Sequence, residues 1–318
     1  MAAGGLPPLI AAGRRPWDVL CLGNNAADSL CLVPHFPERG SKLRMTRFLA
    51  TGGGQAATAA CALARLGHRV AYAGAVGDDP AGELAASRLR EAGVDPCGLV
   101  VRPGATSQQA FIMVEEGGGE RTIIWTRDPA CHLDPAELDP NLVTSCRTLH
   151  LDGHFIEVNL TAARLARDSG ALVCLDGERI QEGTLELVRL CHVVVGERSF
   201  PQRLTGVADP QESLRALADL GPAWAGRTLG HQGAEMLVDG QLYCHPGFVV
   251  QVVDSTGAGD VFHAGLLHAI LLGQTPAQAL ATANALAAIS TTALGGRSAL
   301  ADRAGLEAFL AARGSQAG

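Results

Sequence analysis

Short apolar runs that end at glycine or aspartate, each separated from the next by a helical stretch, constrain the fold of this chain more than any other feature. Asp18-Val-Leu-Cys-Leu-Gly23 and Arg69-Val-Ala-Tyr-Ala-Gly74 begin the series. Thr148-Leu-His-Leu-Asp152, Ala171-Leu-Val-Cys-Leu-Asp176, His192-Val-Val-Val195 and Gly226-Arg-Thr-Leu-Gly230 continue it. Runs without polar alternation suit strands buried on both faces, as in parallel sheets. Between them, residues 56–66 lack any helix breaker and lead to Gly67, and a second helix over about 81–92 ends at Gly93. Repeated β-α-β units of this kind predict an α/β, doubly wound fold, a mostly parallel sheet covered by helices on both faces.

Two stretches interrupt the rhythm, at about 29–49 and 106–126. In the second, Gln109-Ala-Phe-Ile-Met-Val114 and Arg121-Thr-Ile-Ile-Trp125 flank a glycine-rich turn and read as a β-hairpin. Strands inserted between β-α units predict a small β-sheet lid. No repeat or linker divides the chain, so one domain is expected over 18–312, with a flexible tail at 1–17 and a short one at 313–318.

The net charge of −7 gives no basic field to draw nucleic acid or an anionic membrane. Although 47% of residues are hydrophobic, the apolar runs are too short to cross a bilayer. The N-terminal arginines follow the first apolar stretch, unlike those of a signal peptide, so a soluble cytoplasmic protein is expected. The nine cysteines include no CxxC pair and several sit in strand-like runs, which suits buried free thiols.

Near the C-terminus the strand-like Gln251-Val-Val-Asp254 runs into Ser255-Thr256-Gly257-Ala258-Gly259-Asp260 and then an apolar helix over 261–272. A small-residue turn at a helix start presents free backbone N–H groups and the positive end of the helix dipole, an anion site. Glycines at 257 and 259 allow close approach of a phosphate. Asp260 beside that site either caps the helix or accepts a proton from an attacking hydroxyl. No Gly-x-x-x-x-Gly-Lys-Ser/Thr and no Gly-x-Gly-x-x-Gly after the first strand is present.

The segment 254–266 resembles the C-terminal signature of the ribokinase-like (PfkB) carbohydrate kinases. A second segment, Gly53-Gly54-Gln-Ala-Ala-Thr-Ala-Ala-Cys-Ala-Leu-Ala-Arg-Leu-Gly67 followed by Gly74-Ala-Val-Gly-Asp78-Asp79, is similar to the N-terminal signature of the same family. The likeness spans about 18–311. It implies a ribokinase-like three-layer α/β/α sandwich with a β lid, and transfer of the γ-phosphoryl group of ATP to a sugar hydroxyl with Mg2+. Asp260 would be the general base, and the backbone of Gly257, Ala258 and Gly259 the anion hole.

The resemblance further implies sugar contacts at Asp28, Gly53, Gly54, Gln55 and Thr58, and on the lid strand at Gln109. A carboxylate such as Asp28 can accept from two vicinal hydroxyls. Nucleotide contacts are implied at Thr228, Gly230, Gly233, Thr256 and Asn284. Glu197, within Gly196-Glu-Arg-Ser199, matches only part of the family's Asn-x-x-Glu segment for Mg2+ and phosphate. Asp254 and Thr256, near the loop Leu294-Gly-Gly-Arg297, would hold K+. Trp125 is either a sugar-stacking or a core aromatic, His154 either a substrate contact or a loop histidine, and Arg121 a lid contact or a solvated charge.

The nearest local likeness is to the sulfofructose kinase and ketohexokinase branches. Lys42 falls where a sulfonate-binding lysine is expected, but His154 and Trp125 replace the arginine and asparagine that complete such a pocket. A neutral sugar or ketose is therefore the expected acceptor. A nucleoside kinase of the same fold, a sulfofructose-type kinase and a non-catalytic binding protein are the alternatives. The apolar lid strand Phe111-Ile-Met-Val114 predicts a homodimer through the lids.

Overall fold

The apolar runs become parallel strands buried on both faces. The computed structural model describes residues 5–314. In chain order the first half contains β1 (Trp17–Leu22), β2 (Ala26–Val33), β3 (Arg47–Gly53), α1 (Gln55–Arg65), β4 (Val70–Gly77), α2 (Pro80–Glu91), β5 (Asp95–Arg102), β6 (Gln109–Glu115), β7 (Arg121–Thr126) and α3 (Pro140–Thr144). There follow β8 (Cys146–Leu151), α4 (Ile156–Asp168), β9 (Leu172–Gly177), α5 (Thr184–Leu190), β10 (Val193–Gly196), α6 (Phe200–Thr205), α7 (Pro210–Asp219), β11 (Trp224–Thr228), β12 (Ala234–Val238), β13 (Gln241–His245), α8 (Ala258–Leu271), α9 (Pro276–Ser290) and α10 (Arg303–Gly314).

The main sheet has nine strands in the order β13-β12-β11-β10-β9-β8-β1-β4-β5. All its pairings are parallel except those of β12, which runs antiparallel to β11 and β13. Alternation along β1 shows why both faces are apolar. Val19 and Cys21 join a core with Ala57, Ala60 and Leu63 of α1 and Leu266 of α8, whereas Leu20 and Leu22 join another with Val158, Ala162 and Ala166 of α4. Each fully buried leucine contributes about 1.5–3 kcal/mol.

Strands β5, β12 and β13 were not evident in the sequence. Edge strands such as β5 and β13 are half-exposed, so their apolar pattern is weak. Residues 251–253, which read as a strand, join no sheet. Val253 and Asp254 instead donate their N–H groups to the Thr291 carbonyl at 2.8 and 3.2 Å.

The expected loose tail is also corrected over much of its length. Leu6 is buried in the core, Arg147 Nε donates to the Ile10 carbonyl at 2.6 Å, and Arg15 donates to the carbonyls of Cys146 and Ser169. Residues 1–4 and 315–318 of the two expected tails lie outside the described residues. All nine cysteines are free, and seven are buried.

Strands β3-β2-β6-β7 form a separate four-stranded sheet, the lid. Its inner face packs Leu30, Ile112 and Val114 against Leu294. Strand β1 lies between β4 and β8, where the winding of the main sheet reverses. Ligand sites in such folds lie outside the carboxyl ends of the strands at this point, and the lid stands over it.

Candidate active site

The turn before α8 is closed by one carboxylate. Asp254 Oδ1 accepts from Thr256 N at 2.8 Å and Thr256 Oγ1 at 2.7 Å, while Oδ2 accepts from Gly295 N at 2.8 Å. The chain then enters α8 through Gly257 at φ 73°, a left-handed conformation that glycine adopts freely. Asp260 thus sits in the first helical turn, where the orphan N–H groups and the helix dipole converge. A Cβ added at Gly259 would meet only open space, so nothing covers the backbone there. The Asp254 carboxylate, expected with Thr256 to hold K+, here serves to close the turn.

On one side of this turn lies a cleft of about 790 Å3, lined by Ala258, Gly259, Thr228, Gly230, Gly233 and Asn284, with Gly119 and Arg121 of the lid at its rim. It gathers the nucleotide-end residues expected from the sequence, apart from Glu197, Thr256 and Gly257. Those three line the other side, a cavity of about 490 Å3 that also contains Asp260, Asp28, Gly54, Gln55, Thr58, Trp125 and His154. Gly259 and Arg121 border both spaces.

The second cavity is acidic. Asp28, Asp176, Glu178, Glu197 and Asp260 all line it. Burial pushes the Asp28 carboxyl up to about 6, against the pull of Arg297. Asp260 is held well above the usual carboxylate range by burial and by the nearby charges of Asp176 and Glu178, with Arg297 opposing. A carboxylate of raised basicity is a better acceptor for a hydroxyl proton. Asp176 and Glu197 are exceptions among these acids. Burial pushes the Asp176 carboxyl up, but His263 holds it below the usual range. Burial also pushes the Glu197 carboxyl up, but hydrogen bonds from Ser199 and Arg203 hold it below that range.

Arg297 anchors this end. Its Nε donates to Thr58 Oγ1 at 3.1 Å and its Nη2 to the Gly53 carbonyl. The Thr58 hydroxyl is therefore already bonded within the protein. A Cβ at Gly53 would collide with the Asp28 carboxylate, so this glycine makes room for Asp28 rather than lining the cavity itself. His263, one turn after Asp260, pairs with Asp176 at 3.1 Å.

Besides Gly53, two expected contacts do not line the cavity. Lys42 is exposed in the segment between β2 and β3, and Gln109 is exposed on β6. Successive side chains alternate faces along a strand, and it is Gln108, one residue earlier, that lines the cavity. Sequence reasoning missed Asp176, Glu178, Arg127 and His263 as lining residues and the anchoring role of Arg297. The first two stand at or just past the carboxyl end of β9, a position that could have flagged them. Arg127 follows a lid strand and gave no signal.

An uncovered backbone turn at a helix start, a basic carboxylate beside it and a polar cavity under a lid are parts that a phosphotransferase acting on a polyhydroxy acceptor requires. The family model for pfkB family carbohydrate kinases matches residues 18–303, and the chain belongs to that family. Ribokinase of Haemophilus influenzae is 30% identical over 291 residues, covering 89% of this chain and 94% of that protein. Fructokinase-1 of Oryza sativa subsp. japonica is 29% identical over 279 residues, covering 78% and 84%.

Among solved structures, a putative ribokinase from Agrobacterium tumefaciens superposes with a TM-score of 0.88 at 29% identity, covering 94% of this chain and 99% of that one. A putative ribokinase II from E. coli in complex with ATP and Mg2+ has a TM-score of 0.83 at 21% identity, covering 93% and 99%. The chain is an ATP-dependent carbohydrate kinase, with an alcohol as phosphoryl acceptor. These relatives shift the likeness from the sulfofructose kinase and ketohexokinase branches toward ribokinase and fructokinase. They give no support to the expected K+ at Asp254 and Thr256. Among the described residues no helix is long and apolar enough to cross a membrane.

Proposed function

We propose that the chain phosphorylates a hydroxyl of a neutral sugar, a ketose foremost, with Asp260 as general base and the backbone of Gly257, Ala258 and Gly259 as the anion hole. One observation carries this reading: Gly259 borders both spaces, and its neighbour Asp260 lines the smaller one, so the two substrates would meet at the start of α8. ATP in the larger cleft would bring its γ-phosphate to the N-terminus of α8, where backbone N–H groups stabilise charge as it develops.

The acceptor hydroxyl, held by Asp28 and Gln55, would lose its proton to Asp260 as its oxygen attacks the γ-phosphorus and the bond to ADP breaks. Glu197, kept ionised by Ser199 and Arg203, has the donor chemistry to orient Mg2+, which supplies charge neutralisation on the phosphates when bound. The lid sheet would exclude water and limit futile hydrolysis of ATP.

A neutral acceptor is favoured because Lys42 stands away from the cavity, which also removes the main support for a sulfofructose-type substrate. ATP consumption across fructose, ribose, adenosine and sugar phosphates tests the assignment. Turnover of a neutral sugar is the expected result, and turnover of adenosine alone would replace the sugar kinase with a nucleoside kinase.

The outer lid face exposes Phe48, Phe111 and Ile124 at 54%, 44% and 62%. Burial of these side chains between two lids would account for them, so a homodimer is proposed. Light scattering at micromolar concentration should return twice the chain mass, and a monomer mass would refute the pairing.

A further inference from the structure

Four side chains form one hydrogen-bonded chain along the acceptor cavity, and three of them, Arg127, Gln55 and Glu178, line it. Arg127, the first residue after β7, donates through Nη1 to Asn24 Oδ1 at 2.8 Å. Asn24 Nδ2 donates to Gln55 Oε1 at 3.3 Å, and Gln55 Nε2 donates to Glu178 Oε2. The same Arg127 nitrogen reaches Gln108 Oε1 at 3.3 Å. Among the described residues Arg127 has no carboxylate ion pair. Its guanidinium also lies over the face of Phe155, 4.7 Å from the ring centroid.

An amide can face either way about its last torsion, and each reversal exchanges a donor for an acceptor. Here the two charged ends decide the direction. A guanidinium carries only donors, so it selects the oxygens of Asn24 and Gln108, and a carboxylate that only accepts selects the NH2 group of Gln55. The two selections agree at the middle link, where Asn24 offers Nδ2 and Gln55 offers Oε1. All three amide oxygens are engaged within the protein, so what the two cavity amides, Gln55 and Gln108, retain for a ligand is N–H.

We propose that Arg127 and Glu178 are positioning residues that polarise the two cavity amides, Gln108 directly and Gln55 through the buried Asn24, into hydrogen-bond donors. The carboxylates of Asp28 and Asp260, in the same cavity, are the acceptors. The sugar selected is one that turns an oxygen acceptor toward the amides while its hydroxyl protons point to the carboxylates. Because Arg127 hangs from the end of the lid and Glu178 from the main sheet, the same chain ties lid position to the orientation of Gln55. The inference rests on the sugar-kinase reading of this cavity.

Steady-state kinetics on whichever sugar the wild type turns over provide the test. Arg127→Met removes the donor end, and the nearly isosteric Glu178→Gln lets the amides face either way. Each is expected to raise the acceptor KM by about tenfold or more, with the KM for ATP within about threefold. In Arg127→Met kcat should also stay within about threefold, whereas Glu178→Gln removes a charge that acts on Asp260 and is judged by its acceptor KM. Arg127→Lys, which keeps a donor-only end, should recover most of the loss. The double variant should lose less than the product of the single losses, because both ends hold one chain.

Unchanged acceptor KM in Glu178→Gln, parallel losses in kcat and both KM values in Arg127→Met, or fully multiplicative losses would each overturn the polarised chain while leaving the sugar-kinase reading intact. A wild-type protein that turns over no sugar would remove both.

Discussion

The two ends of the proposed active site are built from different material. The proposed phosphate end is backbone: a turn closed by Asp254, the left-handed Gly257, the uncovered Gly259 and the first turn of α8. The acceptor end is made of side chains from distant parts of the chain, including Asp28 on β2, Gln55 on α1, Arg127 after β7 and Asp176 on β9. Backbone N–H groups serve any phosphate alike, so one short motif is enough to specify them. A cavity that must tell one sugar from another needs several side chains, each fixed by its own partners. Chemistry is thus concentrated in a few residues, and specificity is spread over many.

Substitutions can break or sharpen that division. Asp260→Asn should lower kcat by at least ~10³ while leaving the KM for ATP within a few-fold, because it removes the base without moving the cradle. Near-full activity would remove Asp260 from the mechanism. Gly257→Ala forces an L side chain into the left-handed region, with its Cβ 3.0 Å from the Gly296 Cα. It should lower kcat/KM by about 10–10² for every acceptor alike, since it disturbs the shared end. A loss that varied between sugars would blur the division.

Asp28→Asn should raise the acceptor KM by roughly tenfold and leave the KM for ATP unchanged. The same residue gives a pH signature. Its carboxyl, pushed up to about 6, must be ionised to accept from two hydroxyls, so the acceptor kcat/KM should fall as pH drops through that value. Asp260 is also raised and must also be ionised to act as base, so it contributes to the same acid limb. In Asp28→Asn the limb should become shallower, with Asp260 left to shape it, and an unaltered profile would show that Asp28 does not titrate in binding. Smallest of all, Trp125→Ala should raise the acceptor KM by about three- to fivefold, reflecting loss of one aromatic wall.

The same division explains what could be read in the sequence. The doubly wound sheet, the lid and the 254–260 turn were legible because each depends on local pattern: apolar strands, a glycine-rich hairpin, and small residues before a helix. Edge strands β5 and β13 were lost where half-exposure weakens that pattern. At the acceptor end, Asp28, Gln55 and Trp125 were found, but Gln109 was taken for Gln108 because a one-residue offset on a strand reverses the face. Arg127, Glu178 and Arg297 act through partners far away in sequence, such as Asn24, Gln55 and Thr58, and no local pattern announces such pairings.

The central claim, that one carboxylate in the first turn of α8 drives transfer to a sugar held in the adjoining cavity, is tested most directly by 31P NMR of the products. With ATP, Mg2+ and the neutral-sugar panel, the wild type should give ADP and a sugar phosphomonoester in equal amounts, and Asp260→Asn should give neither above background. Equal phosphomonoester from both proteins, or ADP and inorganic phosphate alone from the wild type, would contradict the account.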